Sequence, residues 1–352
     1  MRDIYIDVIQ FRGTHYDFGF MEGEKLKDSL TVRNRENQWK VRQPRFEVPE
    51  QEIRQAITSL APGIWEEFLG LQDALKWPME KILMEFGGYR VNYVKSGCSI
   101  MTGGDYLIRN YDYHPKTYDG RYMLFQPTDG GYAMVGPSQK ITGRMDGMNE
   151  KGLAMGYNFM NRKNPGEGFV CNMIGRLILE CCGNAEDAVD LLKEIPHRHS
   201  FTYVVYDRTG KTYAAETSPR GVEIRETNAC TNHFEIMTHE NRRHLADSNR
   251  RLSVIKEKQN LPAYEAFRLM NDTGRGVFSD LYSSWAGTIH TSGYFPKELK
   301  AWMALGGDQK PAEVDFGSWL SGENLKADTI QGQIATDIPF VHIDEKADWF
   351  SR

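Results

Sequence analysis

Gly97-Cys98-Ser99-Ile100-Met101-Thr102-Gly103-Gly104-Asp105-Tyr106-Leu107-Ile108-Arg109-Asn110-Tyr111-Asp112 is where the chain changes texture. Cys98 to Met101 and Tyr106 to Tyr111 read as two strands joined by the glycine turn Thr102-Gly103-Gly104-Asp105. Arg109 and Asp112 lie on the second of these strands. Because hairpin strands are neighbours, both can approach the Cys98 sulfur with no long-range assumption.

Upstream of the hairpin the sequence reads as mostly helical. From Glu50 to Leu75 the residues Ile53, Ile57, Leu60, Ile64, Phe68 and Leu71 are spaced by threes and fours, one face of a helix. Pro49 suits its entry and Pro78 suits the start of a following helix carrying Ile82, Leu83 and Phe86. Gly13-Thr14-His15-Tyr16-Asp17-Phe18-Gly19 reads as a turn into an earlier helix through Leu30. Downstream, strands are expected around Met123–Phe125, Tyr132–Val135 and Gly152–Tyr157. Two helices follow at Val170–Cys182 and Ala185–Ile195. A second hairpin is formed by Phe201–Tyr206 and Lys211–Ala215, with helices again at Ser248–Lys258 and Ala263–Met270. That order predicts an α+β protein with helices layered on antiparallel sheets. The organisation expected is a mostly helical segment 1–97 and a larger domain 98–352, packed as one unit.

Composition narrows the function. Hydrophobic residues at 40% and charged residues at 26% are those of an ordinary globular chain. A net charge of −5, without basic runs, gives no reason to expect nucleic acid or an anionic membrane. No apolar leader opens the chain and no run is long enough to span a bilayer, so a cytoplasmic location is expected. Five cysteines cannot all pair. Cys171, Cys181 and Cys182 sit in apolar helical stretches, where a thiol is a small buried hydrophobe. Metal-ligand spacing is lacking, His197-Arg198-His199 and His239 with His244 being the nearest approaches, so no metal is expected. Nor does a glycine-rich phosphate cradle follow a strand, and no cofactor is expected.

Further motifs lie along the chain: Asp146-Gly147-Met148-Asn149-Glu150-Lys151-Gly152-Leu153-Ala154, Gly156-Tyr157-Asn158-Phe159, Thr231-Asn232-His233 and Ser248-Asn249-Arg250-Arg251. In order and spacing, with Gly97-Cys98 and Arg109-Asn110-Tyr111-Asp112, they resemble the choloylglycine hydrolase and penicillin V acylase group of N-terminal-nucleophile hydrolases. The long segment before the cysteine, opening on Gly13-Thr14-x-x-Asp17-x-Gly19 with Gly23, is similar to the acyl-CoA:6-aminopenicillanic acid acyltransferases (peptidase family C45), whose precursors cleave themselves at Gly-Cys. The resemblance implies a four-layer αββα sandwich. It implies Cys98 as nucleophile, Arg109 and Asp112 orienting thiol and amine, and Asn158 and Asn232 serving the oxyanion hole. Arg250 fits the family's late arginine, with Arg251 leaving the register open. The partner implied is a small-molecule amide substrate, and the two cleavage fragments would stay associated. Self-association is left open.

Elementary chemistry supports these roles. A thiol with a pKa near 8.5 is only slightly ionised at neutrality, whereas a free α-amine near 8 can accept its proton. Only an N-terminal cysteine carries both groups. Glycine before it leaves the scissile carbonyl unhindered and tolerates backbone strain. Plainer roles exist for each residue: Arg109 and Asp112 as a structural ion pair, Asn158 and Asn232 as turn residues, Arg250 on a solvated helix face. Tyr111, Tyr113, Tyr157, Phe159 and Trp285 could line an acyl pocket or simply fill the core. Hydrolysis of a linear amide is the favoured reading. Acyl transfer to an amine through the same intermediate, or a non-catalytic binding protein, are the alternatives.

Overall fold

The computed structural model describes residues 1–42, 48–90, 97–161 and 164–347, with only the backbone described for 37–42 and 161. The chain opens with a strand, β1 (Arg2–Gly13), in which Ile4 and Ile6 are buried between exposed Asp3, Tyr5 and Asp7. The sequence reading gives no strand here, in a segment it expects to be mostly helical. Helix α1 (His15–Leu26) begins where the Thr14 side chain accepts the Asp17 N–H, and a separate helix α2 (Leu30–Arg42) follows. The run expected from Glu50 to Leu75 is two helices, α3 (Glu50–Thr58) and α4 (Pro62–Leu75). Pro62 lacks the N–H that would continue a helix but is tolerated in a first turn, so the chain breaks at Ala61. Pro78 precedes α5 (Met79–Phe86) as the sequence indicates.

The hairpin is β2 (Gly97–Thr102) and β3 (Leu107–Tyr113). After it come β4 (Arg121–Pro127), β5 (Met134–Gln139), β6 (Gly143–Arg144), β7 (Asp146–Asn149) and β8 (Leu153–Asn161). Then follow α6 (Cys171–Cys181), α7 (Ala185–Glu194), β9 (Ser200–Asp207), β10 (Thr212–Ser218), β11 (Gly221–Glu226) and β12 (Ala229–Cys230). The last part carries α8 (Ala246–Glu257), α9 (Ala263–Asn271), β13 (Asp280–Leu281), β14 (Ala286–Phe295), β15 (Lys300–Leu305), β16 (Ala312–Asp315), α10 (Phe316–Leu320) and β17 (Thr329–Ile334).

Two sheets result. One runs β11-β10-β9-β8-β7-β5-β4-β1-β17, with β6 on β5; the other runs β12-β2-β3-β14-β15-β16, with β13 on β14. Helices α6 and α7 cover the outer face of the first sheet, and α8 and α9 that of the second, while β2 and β3 face β8 across the middle. The order helix, sheet, sheet, helix makes an α+β four-layer sandwich. The sheets are packed in an apolar core, in which Met123, Phe125, Met148, Met155, Val205, Ile289 and Leu305 are all fully buried. Strand β1 is parallel to β4 and antiparallel to β17, so the segment before Cys98 supplies an interior strand of the first sheet.

Candidate active site

Alternation along the hairpin decides which side chains meet. Cys98 lies opposite Tyr111 and Gly97 opposite Asp112. Side chains two apart share a face, so Arg109 and Tyr111 point with Cys98 into the space between the sheets, and Asp112 points to the helix-covered side. Arg109 Nη2 donates to Cys98 Sγ at 3.2 Å and to the Tyr157 carbonyl at 2.5 Å. Gly156 makes room for it: a Cβ there would stand 2.7 Å from Arg109 Cδ. Thus Arg109 reaches the sulfur with its side chain, whereas the Asp112 side chain is turned to Thr288.

The anion paired with Arg109 is Asp146, not Asp112. Arg109 Nη1 donates to Asp146 Oδ2 at 2.5 Å, and neither side chain is exposed. Ser292, directly opposite Arg109 on β14, donates to Asp146 Oδ1 at 3.0 Å, and Tyr294 donates at 2.5 Å. His290 completes the cage, with Nε2 3.4 Å from Asp146 Oδ2 and Nδ1 2.8 Å from the Tyr118 hydroxyl. Burial alone would raise the Asp146 carboxyl, but His290, Arg109 and Tyr294 outweigh it and hold it down at about 2. Asp146 stays ionised and keeps Arg109 aimed at the sulfur.

The backbone of Cys98 is gripped from the other side. Its N–H donates to Asn232 Oδ1 at 2.9 Å, and its carbonyl accepts from Arg251 Nη1 at 2.8 Å. Arg251 also donates to Ser99 Oγ and to Asn232 Oδ1. Arg250, favoured by the sequence, is solvent-exposed and pairs with Asp247 and the Gly276 carbonyl. The reason is register: Ser248, Arg251, Leu252 and Ile255 form the buried face of α8, and Arg250 falls outside it.

Of the two asparagines, Asn232 is at the cysteine and Asn158 supports it from behind. Asn232 Nδ2 donates one N–H to the Phe159 carbonyl, and its second N–H has no acceptor among the described residues. Asn158 Nδ2 donates to both the Cys230 and Thr231 carbonyls, at 3.1 and 3.2 Å. Its side chain thereby braces the strand before Asn232.

Burial is the largest influence on the Cys98 thiol and pushes it up to about 11; Arg109 opposes this and Asp112 adds to it. Among the described residues no histidine bonds Sγ. Asp112 accepts from Thr288 at 2.7 Å, and burial raises it to about 6 against the pull of Arg251. Its Oδ2 lies 3.3 Å from where a Cβ on Gly97 would stand, which places the carboxylate beside the Gly97-Cys98 bond. Gly97 itself is the first residue of strand β2.

Asp146 and the β14 trio are the contributors the sequence reading missed, while Arg251 was left open beside Arg250. Asp146 heads a motif already singled out, and Arg251 follows from helical periodicity; His290, Ser292 and Tyr294 carry no local signal. Cys171 and Cys182 are buried, and Cys181 is partly so. Among the described residues, no cluster of three or more His, Cys, Asp or Glu side chains could hold a metal, and no helix is long and apolar enough to cross a membrane.

Among solved structures, the chain is similar to conjugated bile acid hydrolase from Clostridium perfringens, at 14% identity and a TM-score of 0.46, covering 68% of this chain and 99% of that one. It is also similar to penicillin V acylase from Agrobacterium tumefaciens, at 13% identity and a TM-score of 0.44, covering 70% and 93%. A comparison with curated protein sequences returns no match. Residues 100–310, well over half of the chain, match the model of a family of acyl-transferring enzymes. By that match the chain belongs to the acyl-coenzyme A:6-aminopenicillanic acid acyl-transferase family.

Proposed function

We propose that the protein cleaves itself between Gly97 and Cys98 and then hydrolyses a linear amide through an acyl-cysteine intermediate. The observation that carries this reading is the environment of Cys98. A guanidinium touches its sulfur, both backbone polar atoms are held by Asn232 and Arg251, and the thiol is pushed up to about 11. A thiol so placed, without an imidazole, needs a base of its own. The α-amine freed by cleavage supplies one on the same residue.

In the first step Sγ attacks the Gly97 carbonyl carbon, the thiol proton passes to the Cys98 nitrogen and the peptide C–N bond breaks, leaving a thioester and a free Cys98 amine. Water then cleaves the thioester, releasing the Gly97 carboxylate. In turnover the amine takes the thiol proton, the thiolate adds to the substrate carbonyl, and the leaving amine departs with that proton. Water, deprotonated by the same amine, releases the acid. Arg109 stabilises the thiolate, and the second N–H of Asn232 is the available donor to the oxyanion. Asp112, acting only as acceptor when ionised, holds the new ammonium group. The segments before and after the cut stay together, because β1 is hydrogen-bonded between β4 and β17.

The family match favours a second reading, in which an amine takes the acyl group in place of water. One experiment addresses both. The purified protein is incubated with N-acyl p-nitroanilides of graded chain length, with and without an added amine. Nitroaniline release with a transient acyl mass on the fragment beginning at Cys98 is expected, and diversion of the acyl group to the amine marks the transferase. Release at the wild-type rate by Cys98→Ala overturns the proposal.

A further inference from the structure

We infer that Arg242 is a recognition residue for a carboxylate on the substrate, a reading that rests on the placement of the active site at Cys98. Arg242 is half-buried, its guanidinium carbon 5.4 Å from the centre of the Phe159 ring. Its Nε is shielded from solvent with no hydrogen-bond partner, and among the described residues no carboxylate pairs with it. The described acids closest to it in sequence are engaged elsewhere. Glu240 pairs with Arg220, Glu235 with Arg225 and Lys256, and Asp247 with Arg250 and Arg251.

An arginine without an anion is costly to shield from water, and a second cation nearby adds to the cost. Arg242 bears both burdens: burial and the charge of Arg251 together hold its proton affinity below the usual arginine range. The position is close to the chemistry. The Phe159 carbonyl accepts from Asn232 Nδ2, and Asn232 Oδ1 accepts the Cys98 N–H. Arg242 thus lies against Phe159, the residue whose backbone carbonyl holds the Asn232 side chain beside Cys98. A guanidinium fork fits a carboxylate with two parallel hydrogen bonds, and here the guanidinium stands over the Phe159 ring.

The test uses matched probes that differ only in that charge. N-decanoylglycine is compared with N-decanoylglycinamide, and N-phenylacetylglycine with its amide, for a carboxylate on the amine side. N-ethylglutaramic acid is compared with its methyl ester for one on the acyl side. Binding to wild-type, Arg242→Gln and Arg242→Lys protein is measured by calorimetry, and amine release is followed separately. In at least one pair the acid should bind about tenfold tighter than its neutral partner, the range of a charge-assisted pair. That ratio should collapse toward one in Arg242→Gln and be partly kept in Arg242→Lys. The pair showing the preference identifies the side that carries the charge. Equal binding within every pair, or a preference that survives in Arg242→Gln, overturns the inference. Selective binding of an acid with no amine released from any probe leaves the anion site standing and removes the hydrolase reading.

Discussion

The carboxylate of Asp146 and the guanidinium of Arg109 form an ion pair with no solvent exposure on either side, and that pair aims Arg109 at the cysteine sulfur. Asp146→Asn keeps the shape but leaves a buried cation uncompensated. Removing one partner of a buried pair costs about 3 kcal/mol or more, so the melting temperature should fall by several degrees. Conversion of freshly made chain to fragments should slow as well, because the guanidinium is no longer held. Equal melting and conversion rates in variant and wild type would show that Asp146 neither stabilises the fold nor positions Arg109.

The two asparagines should fail differently. Asn232→Ala removes the acceptor of the Cys98 N–H and the free donor beside it, so kcat should fall by roughly a hundredfold, the effect of losing one oxyanion donor. Asn158→Ala strands two buried carbonyls and should cost about 2 kcal/mol of stability, with the smaller effect on turnover per folded molecule. Thermal melts and kcat on both variants decide. A larger loss of kcat in Asn158→Ala would return that residue to the site and displace Asn232.

Arg250 and Arg251 offer a neighbouring pair with opposite expectations. Arg250→Ala touches an exposed ion pair and should change stability by less than about 0.5 kcal/mol. Arg251→Ala releases the Cys98 carbonyl, Ser99 and Asn232 together, and should reduce self-cleavage and turnover by a hundredfold or so. Mass spectra taken at intervals after expression measure the first and amine release the second. Matching behaviour of the two variants would mean that α8 is rotated relative to the arrangement described.

These residues show how far the sequence was legible. The hairpin at Cys98 was readable because its two strands are adjacent and its turn is marked by glycines. Arg251 was within reach too, since Ser248, Arg251, Leu252 and Ile255 share one helical face. The alternation of Ile4 and Ile6 with polar neighbours was a strand signal of the ordinary kind, yet β1 pairs with β4 and β17, far away in the chain. Nothing local says that Ser292 and Tyr294 meet Asp146. Hairpin register put Arg109 and Asp112 on opposite faces, which a spacing argument alone did not separate.

His15 joins the two sides of the proposed cut. Its Nδ1 lies 2.7 Å from Asp129 and its Nε2 lies 2.6 Å from Glu180 on α6. Burial disfavours the charged ring, but the hydrogen bond and charge of Glu180 outweigh it, and the His15 pKa is raised above 6.5. A pKa higher in the folded than in the unfolded state stabilises fully below about 6.5 and loses that stabilisation as pH rises through the folded value. The wild-type melting temperature should therefore decline from pH 6.5 upward relative to His15→Gln. Parallel melting curves of the two proteins from pH 6 to 9 would mean that His15 is neutral in the fold.

The intact mass of the purified protein under denaturing conditions, followed from first purification through incubation at neutral pH, tests the central claim most directly. The account predicts two species, residues 1–97 and residues 98–352 with a free amine on Cys98, which co-elute under native conditions. It also predicts that Cys98→Ala stays as one chain of 352 residues. Full amide turnover by a wild-type preparation that shows only the uncut mass would contradict it.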